Sequence, residues 1–245
     1  MNSPDFSVVV PLFNEADNVA LLQKEISVAL GECDYELILV DDGSTDGTAS
    51  RIRRDTNVRV FRLMRNSGQS AAMLVGMRAA RGESVVLLDG DLQNDPSDIP
   101  RLLSEIQRGA DLVCGYRVRR KDSLVKKLSS RIANFVRSRF VGDGVRDTGC
   151  TLKAMRRVCV DALVPFKGVH RFIPALVKNA GFKIVEIPVN HRPRQFGVSK
   201  YGLGNRAIRA TLDMFGVRWL QSRSLNLVAD EWEESKASKP SRAAS

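Results

Sequence analysis

At 245 residues, the chain is long enough for one large α/β domain or two small ones. Its 43% hydrophobic and 27% charged residues are typical of a globular protein with a sizeable core. No apolar run approaches the roughly 20 residues of a transmembrane helix, so we expect any membrane association to be peripheral. The net charge of +10 indicates a polyanionic partner, such as nucleic acid, an anionic membrane surface or a phosphorylated substrate.

The cysteines give no sign of a metal site or a disulfide framework. Cys33, Cys114, Cys150 and Cys159 form neither a C-x-x-C pair nor a zinc-ligand spacing with histidine. The N-terminus has no signal-peptide pattern. The simplest interpretation is a cytoplasmic protein with reduced thiols.

The first half of the chain alternates short apolar runs with segments of helical periodicity. Helices are predicted from Val19 to Leu30, from an N-S-G-Q turn to about Ala80, and over Asp98–Gln107. Such alternation predicts an α/β fold with a mainly parallel sheet flanked by helices. The predicted strands are Phe6–Leu12, Tyr35–Val40, Val58–Leu63, Ser84–Leu88 and Asp111–Gly115.

The turns after the first strands exclude two common nucleotide-binding classes. Neither turn carries G-x-G-x-x-G, and the chain has no P-loop motif. Acids and amides follow the first three strands instead, and they suit hydrogen bonding to a base and a ribose better than contact with phosphate. Solvated turn acids are the alternative for any one of them. These residues are Asn14, Glu15, Asp41, Asp42 and Asn66.

The fourth strand runs directly into Asp89, Gly90 and Asp91. Ligands of open α/β sheets gather at the carboxyl ends of strands. Two carboxylates in a Gly-containing turn can reach one hard cation, and Mg²⁺ or Mn²⁺ shared with a diphosphate suits so few protein ligands. An ordinary Asp-Gly turn with solvated acids is the alternative.

Five motifs together resemble the family 2 inverting glycosyltransferases, and in particular the polyprenol-phosphate hexosyltransferases typified by dolichol-phosphate mannose synthase. The motifs are P-L-F-N-E-A-D-N, D-D-G-S-T-D-G-T, R-N-S-G-Q-S-A-A, D-G-D-L-Q-N-D-P and D-T-G-C-T-L-K-A-M. Two features differ from that branch. Gly90 stands where Ala is usual, and this sequence does not show the transmembrane helices into which many bacterial relatives continue. We expect one glycosyltransferase domain over residues 1–228 and a disordered tail over 229–245.

The resemblance implies a GT-A (Rossmann-like) fold, a nucleotide-sugar donor, and Mg²⁺ or Mn²⁺ held by Asp89 and Asp91. Gln93 matches a position near the sugar and the acceptor phosphate, and Arg117 and Arg131 match positions that grip the lipid phosphate. Asp91, Gln93, Arg117 and Arg131 are thus the expected catalytic residues. The expected donor-site residues are Pro11, Asn14, Glu15, Asp41, Asp42, Ser44, Gly68, Gln69, Arg194 and Lys200. The last two, together with Gly197 and Ser199, belong to a segment that resembles the flexible acceptor loop of this branch.

The chain offers no convincing general base. It has two histidines, His170 and His191, and no Ser-His-Asp or Cys-His set is evident. A sugar-hydroxyl acceptor would need a base, whereas a phosphate monoester, with a second pKa near ~6, is already largely dianionic at neutral pH. His170 matches a His-Arg pair near the acceptor side, although a structural histidine is at least as consistent with the pattern. Asp147 is interpreted as structural or substrate-orienting.

Two basic amphipathic stretches predict membrane-surface helices, at residues 122–140 and 203–220. The region Arg117–Arg139 carries nine Lys or Arg residues and one acid, Asp122, with apolar residues at helical intervals. The second stretch includes Trp219, which suits the headgroup level. The alternative is a core-packed helix with a solvated basic face.

The sequence therefore predicts an enzyme at the cytoplasmic face of a membrane, with or without a separate membrane subunit. It would transfer a hexose with inversion from a nucleotide sugar to polyprenyl or dolichyl phosphate, with mannose from GDP-mannose as the first choice. Alternatives with the same fold are a UDP-sugar donor or a saccharide-hydroxyl acceptor. The non-enzymatic alternative, a basic nucleic-acid-binding domain, is disfavoured because the charge lies on amphipathic stretches.

Overall fold

The computed structural model describes residues 3–118, 137–193 and 204–225, with side chains from residue 211 onward in the last range. Within this part, seven strands form one sheet in the order β3-β2-β1-β4-β6-β5-β7. β6 is antiparallel to both of its neighbours and the other pairings are parallel. The strands are β1 (Phe6–Leu12), β2 (Tyr35–Asp41), β3 (Val58–Arg62), β4 (Ser84–Leu87), β5 (Leu112–Arg117), β6 (Lys153–Arg156) and β7 (Ile184–Val189).

Helices cover both faces of this sheet, which confirms the predicted α/β class. The helices are α1 (Val19–Leu30), α2 (Gln69–Ala79), α3 (Ile99–Gln107), α4 (Ile173–Asn179) and α5 (Gly204–Ser222). Alternate residues of a strand point to opposite faces, so Val8 and Val10 join the core that contains α1 and α3. Val9 joins the other core, which contains α2, α4 and Val217 of α5.

The predicted boundaries of the first five strands hold to within two residues, and two further strands were not predicted. β1 has the predicted limits, β2 extends one residue to Asp41, and β4 ends one residue early at Leu87. β6 has only four residues, too short a run to stand out. β7 has the β-branched composition of a strand, and Pro188 is accommodated because β7 lies at the edge of the sheet.

The predicted C-terminal helix exists, and it has one buried and one exposed side. In α5, Val217 is buried, and Gln221 Nε2 donates to the carbonyls of Val141 and Ala175. Leu212, Phe215 and Trp219 lie on the opposite side and are 65%, 56% and 61% exposed. We call these three residues the apolar stripe of α5.

The other predicted surface helix lies mostly outside the described residues. Its last turn belongs to a helical segment over residues 137–141. Phe140 there packs against the core and meets the Phe215 ring edge-on, with 5.0 Å between ring centroids. Phe140 is therefore turned toward the protein. The predicted tail, residues 229–245, also lies outside the described part.

Among the described helices, none is both long and apolar enough to span a bilayer. All four cysteines are unpaired, as the sequence predicts, with Cys33 exposed and the other three buried.

Candidate active site

The carboxyl ends of β2, β1 and β4 lie side by side because these strands are parallel neighbours. Leu12 at the end of β1 pairs with Asp41 at the end of β2. β4 stops at Leu87, so Asp89 and Asp91 follow at the same edge. The sheet thus brings together the acids and amides that the sequence places after separate strands.

Asp89 is held on both of its carboxylate oxygens. Gln69 Nε2 donates to Oδ1 at 2.8 Å, and the Thr151 hydroxyl donates to Oδ2 at 2.6 Å. Burial, followed by the negative charge of Asp91, raises the pKa of Asp89 to about 6. The hydrogen bonds and the positive charge of Lys153 offset only part of this increase. The two carboxylates are therefore close enough to repel each other.

Thr151 and Lys153 were not singled out from the sequence. Their position follows from the register of β6, in which Lys153 pairs with Leu87 in antiparallel sense. Continuing that register by two residues places Thr151 opposite Asp89. Lys153 is only 2% exposed, and its ammonium group donates to the carbonyl of Cys150. The D-T-G-C-T-L-K motif holds both residues, but only the long-range pairing reveals their proximity to Asp89.

The turn after Asp89 has an unusual backbone. Leu92 is fully buried and has a φ of 60°, a left-handed conformation that a leucine seldom adopts. This turn lets the Gln93 amide donate to Asp91 Oδ1 at 3.1 Å. A Cβ atom on Gly90 would lie 2.7 Å from Leu12 Cδ2 and 3.2 Å from the Pro11 carbonyl. Glycine therefore permits the close approach of this turn to β1.

The donor set fits a hard divalent cation. Asp89 and Asp91 offer carboxylate oxygens, and Gln93 beside them carries an amide oxygen. In the described part of the chain, no group of three or more His, Cys, Asp or Glu side chains is arranged to hold a metal ion by itself. Two carboxylates leave most coordination positions for other oxygens, as suits Mg²⁺ or Mn²⁺ bound together with a phosphorylated substrate.

The loops after β1 and β2 are joined by hydrogen bonds between polar side chains and backbone. The Asn14 amide donates to Ser44 Oγ at 2.9 Å, and the Thr45 amide donates to Asn14 Oδ1 at 2.9 Å. The Glu15 amide donates to Thr48 Oγ1 at 2.8 Å. Asn14 has a φ of 52°, which asparagine tolerates better than most residues. Asn14 and Ser44 therefore hold this corner of the site together.

The two acids at the end of β2 are both buried and both engaged by the protein itself. Asp41 Oδ1 accepts from the Ser44 amide, and Arg62 Nε lies 3.3 Å from Oδ2. Asp42 accepts from the amides of Ser67 and Gly68, while burial raises its pKa. Asp42 thus fixes the loop that presents Gln69 to Asp89.

Arg117 and Asp147 form a two-point ion pair in which both side chains are largely buried. Arg117 Nε and Nη2 lie 2.7 and 2.8 Å from the two Asp147 oxygens. A Cβ atom on Gly149 would lie 2.9 Å from Arg117 Nη2, so the glycine makes room for this pair. Of the two interpretations of Asp147, structural or substrate-orienting, this contact fits the structural one, since Asp147 fixes the Arg117 side chain.

His170 lies against the start of α2. Its Nδ1 is 2.7 Å from Ser70 Oγ, and the Gly168 amide donates to the same oxygen at 2.9 Å. These contacts fit a structural histidine. The remaining predicted site residues, Arg131, Arg194, Gly197, Ser199 and Lys200, lie outside the described residues.

The family model for glycosyl transferase family 2 matches residues 7–163, which is more than half of the chain. The chain belongs to glycosyl transferase family 2.

Two similar proteins are named for polyprenyl phosphates, in keeping with the resemblance to that branch. Dodecaprenyl-phosphate galacturonate synthase of Rhizobium johnstonii is 41% identical over 228 residues, which cover 89% of this chain and 67% of that protein. Undecaprenyl-phosphate 4-deoxy-4-formamido-L-arabinose transferase of Yersinia enterocolitica is 39% identical over 204 residues, covering 80% of this chain and 62% of that protein. The chain spans only about three-fifths to two-thirds of the length of these relatives.

Solved structures share the architecture. The glucosyl-3-phosphoglycerate synthase of Mycobacterium tuberculosis, in complex with Mn²⁺ and uridine-diphosphate-glucose, superposes with a TM-score of 0.65 at 23% identity. The superposition covers 87% of this chain and 79% of that one. The fold is therefore the GT-A fold that the resemblance implied.

Proposed function

We propose that the protein transfers a sugar, with inversion, from a nucleotide-sugar donor to a polyprenyl phosphate in a metal-assisted reaction. The observation that carries the proposal is the position of two carboxylates, Asp89 and Asp91, directly after β4 at the sheet edge that also holds the Asn14–Ser44 corner. The names of the two relatives support the choice of acceptor. Membership of family 2 favours this enzyme over the nucleic-acid-binding alternative.

In this proposal Asp89 and Asp91 hold a divalent cation, while Gln69 and Thr151 fix the orientation of the Asp89 carboxylate. A bound Mg²⁺ or Mn²⁺ would stabilise the negative charge on the departing nucleoside diphosphate. Asn14, Glu15 and the loop around Ser44 face the base and ribose. The fixed hydrogen bonds of these loops keep the groups in place before the donor arrives.

The acceptor needs cations rather than a base. A phosphate monoester is largely dianionic at neutral pH, since its second pKa is near ~6. One of its oxygens attacks the anomeric carbon from the face opposite the diphosphate, and the bond to the diphosphate breaks as the new bond forms. Arg117, oriented by Asp147, supplies the guanidinium that suits a phosphate.

No particular sugar or nucleotide is proposed, only a nucleotide-sugar donor. The resemblance favours mannose from GDP-mannose. The relatives are named for galacturonate and 4-deoxy-4-formamido-L-arabinose, and the solved neighbour held uridine-diphosphate-glucose. These differences make a uronic acid or a modified arabinose as reasonable a candidate as mannose.

A donor panel tests the function directly. The full chain is incubated with Mn²⁺, a short polyprenyl phosphate, and in turn GDP-mannose, UDP-glucose, UDP-galacturonate and the UDP derivative of 4-deoxy-4-formamido-arabinose. We expect one donor to yield a lipid-linked sugar, measured by extraction into organic solvent. Equal transfer to a saccharide lacking phosphate would favour the saccharide-hydroxyl alternative, and no transfer from any donor would contradict the proposal.

The metal assignment is tested with the same assay. Asp91→Asn should abolish transfer while leaving the fold intact, and EDTA should abolish transfer until Mn²⁺ is restored. The control is Asp17→Asn, which changes an exposed acid paired with Arg51 and should leave transfer unaffected. Full activity in EDTA would remove the metal from the proposal.

A further inference from the structure

The turn that carries Asp91 and Gln93 is braced from outside the sheet by the segment that follows β7. The Arg192 amide donates to the Gln93 carbonyl at 2.8 Å, and Gln93 Nε2 lies 3.5 Å from the Arg192 carbonyl. Asn94, which follows Gln93, and His191, which precedes Arg192, form an isolated antiparallel bridge. Both the backbone and the side chain of Gln93 are thus bonded to main-chain atoms of Arg192, so the side chain of Arg192 acts on the turn by fixing the segment that carries these atoms.

The side chain of Arg192 is fixed in turn by two carboxylates from different elements. Nη1 lies 2.7 Å from Glu25 Oε2 on α1, and Nη2 lies 2.8 Å from Asp95 Oδ1 in the turn after Gln93. All three side chains are at most one-third exposed. The planar guanidinium fork presents separate nitrogens to the two acids in a fixed geometry, which a lysine ammonium, a compact charge on a flexible stem, does not provide.

The ion pair is charged at neutral pH. Partial burial favours the neutral form of Asp95, but hydrogen bonds from Ser97 and from Arg192 outweigh it and lower the pKa of this acid. A third contact ties the same two segments, because the Asn190 amide donates to Asp98 Oδ2 at 2.6 Å.

The braced turn also contains the left-handed Leu92. A leucine in that conformation is strained and persists only where neighbouring contacts hold it. Burial of Leu92 supplies one such contact from inside the core. The segment around Arg192 supplies the others from outside.

We propose that Arg192 is a positioning residue, which clamps the Asp91–Gln93 turn to α1 and so fixes the geometry of the metal-binding and sugar-facing groups. The catalytic part of this inference rests on the proposed function, whereas the clamp itself is a property of the fold. Transfer would then depend on Arg192, a residue that belongs neither to the expected donor site nor to the expected acceptor site.

Hydrogen exchange followed by mass spectrometry tests the clamp without reference to activity. In the full chain, Arg192→Gln should accelerate amide exchange in peptides covering residues 90–95 by about tenfold or more, because the turn opens locally. Peptides from β1 and β2 should keep wild-type exchange. Glu25→Gln, which leaves the ion pair between Arg192 and Asp95 in place, should give a smaller change in the same peptides and serves as a second variant if Arg192→Gln folds poorly.

The matched control is Arg108→Gln. Arg108 pairs with Glu105 at the end of α3, and neither residue belongs to the contacts between the turn and the Arg192 segment. We expect its exchange pattern in residues 90–95 to equal that of the wild type. Unchanged exchange there in Arg192→Gln, or an acceleration spread evenly over the chain, would overturn the clamp.

Kinetics separates positioning from simple stability. Arg192→Gln should lower kcat roughly 10- to 100-fold, as expected for a small misplacement of reacting groups, with little change in the KM for the donor. Arg192→Lys should not restore kcat, and the double variant Glu25→Gln/Arg192→Gln should have the same kcat as Arg192→Gln alone.

A wild-type kcat in Arg192→Gln would overturn the positioning role. Failure of the donor panel with wild-type protein would instead overturn the proposed function, and the exchange data would still decide on the clamp.

Discussion

The Asp89 carboxylate combines strong hydrogen bonding with an unfavourable electrostatic position. Two side chains donate to it, yet burial and the charge of Asp91 raise its pKa to about 6. An acid whose pKa is raised by folding stabilises the native state most when it is protonated. Its contribution is therefore complete below the unfolded pKa near ~3.9 and is lost as the pH rises through about 6.

Removing this charge should stabilise the metal-free protein at neutral pH. At ~1.4 kcal/mol per pKa unit, Asp89→Asn is expected to gain on the order of 3 kcal/mol of unfolding free energy at pH 7.5. The gain should shrink toward pH 5, where the wild-type acid is mostly protonated. Thermal unfolding in EDTA at the two pH values measures this, with Asp17→Asn as an exposed control. A larger gain at pH 5 than at pH 7.5 would contradict the assignment.

Arg117 offers a second test at the scale of one residue. In our proposal its guanidinium, oriented by Asp147, holds the acceptor phosphate. Arg117→Lys keeps the charge but loses the two-point geometry, so we expect the acceptor KM to rise roughly tenfold and donor affinity to change little. Asp147→Asn, which removes the negative charge that orients the guanidinium, should also weaken acceptor binding. If calorimetry showed donor affinity collapsing instead, Arg117 would belong to the diphosphate site.

At the scale of elements, the sequence predicts what is local. β1 to β5, α1 to α3 and the acids at the strand ends were predicted because apolar runs, helical periodicity and turn residues lie close together in the chain. β6 was missed because its four residues carry little local pattern and its role depends on pairing with β4, far away in sequence. Thr151 and Lys153 were missed for the same reason. The role of Arg192 was not predicted for the same reason, since its partners come from α1 and from the turn after β4.

The packing of α2 on the sheet gives a prediction at this scale, because α2 starts with Gln69. A Cβ atom on Gly76 would overlap Val9 Cγ1 and lie 3.1 Å from Val40 Cγ2, both in the buried sheet. Gly76→Ala should therefore destabilise the protein by about 1–3 kcal/mol through overpacking, although alanine is the better helix former.

Gly216 in α5 is the matched control for Gly76. A Cβ atom there meets nothing within 4 Å, so Gly216→Ala should stabilise the protein by up to about 1 kcal/mol. Denaturant unfolding of the two variants measures the difference. Equal effects would mean that α2 does not approach β1 as closely as described.

At the scale of the whole molecule, the net charge of +10 and the apolar stripe of α5 bear on how a membrane-embedded acceptor would be reached. The stripe, Leu212, Phe215 and Trp219, is exposed on the side of α5 opposite the core. Arg218 and Arg223 are exposed on the same helix and just beyond its end. An apolar stripe flanked by basic residues suits the surface of an anionic bilayer. We therefore propose that α5 lies on the membrane and helps to bring the strand ends over the lipid phosphate.

Vesicle co-sedimentation tests this orientation. Each Lys or Arg near an anionic surface contributes roughly ~1 kcal/mol, and exposed charges are screened beyond about 10 Å at ~0.1 M salt. We expect binding to anionic vesicles at low salt and partial release at high salt. Trp219→Ala should weaken binding, because Trp is the largest apolar group of the stripe. Val28→Ala, which removes an exposed apolar side chain on α1, should not. Equal indifference to anionic and neutral vesicles at low salt would mean that the stripe meets another protein surface, such as a separate membrane subunit.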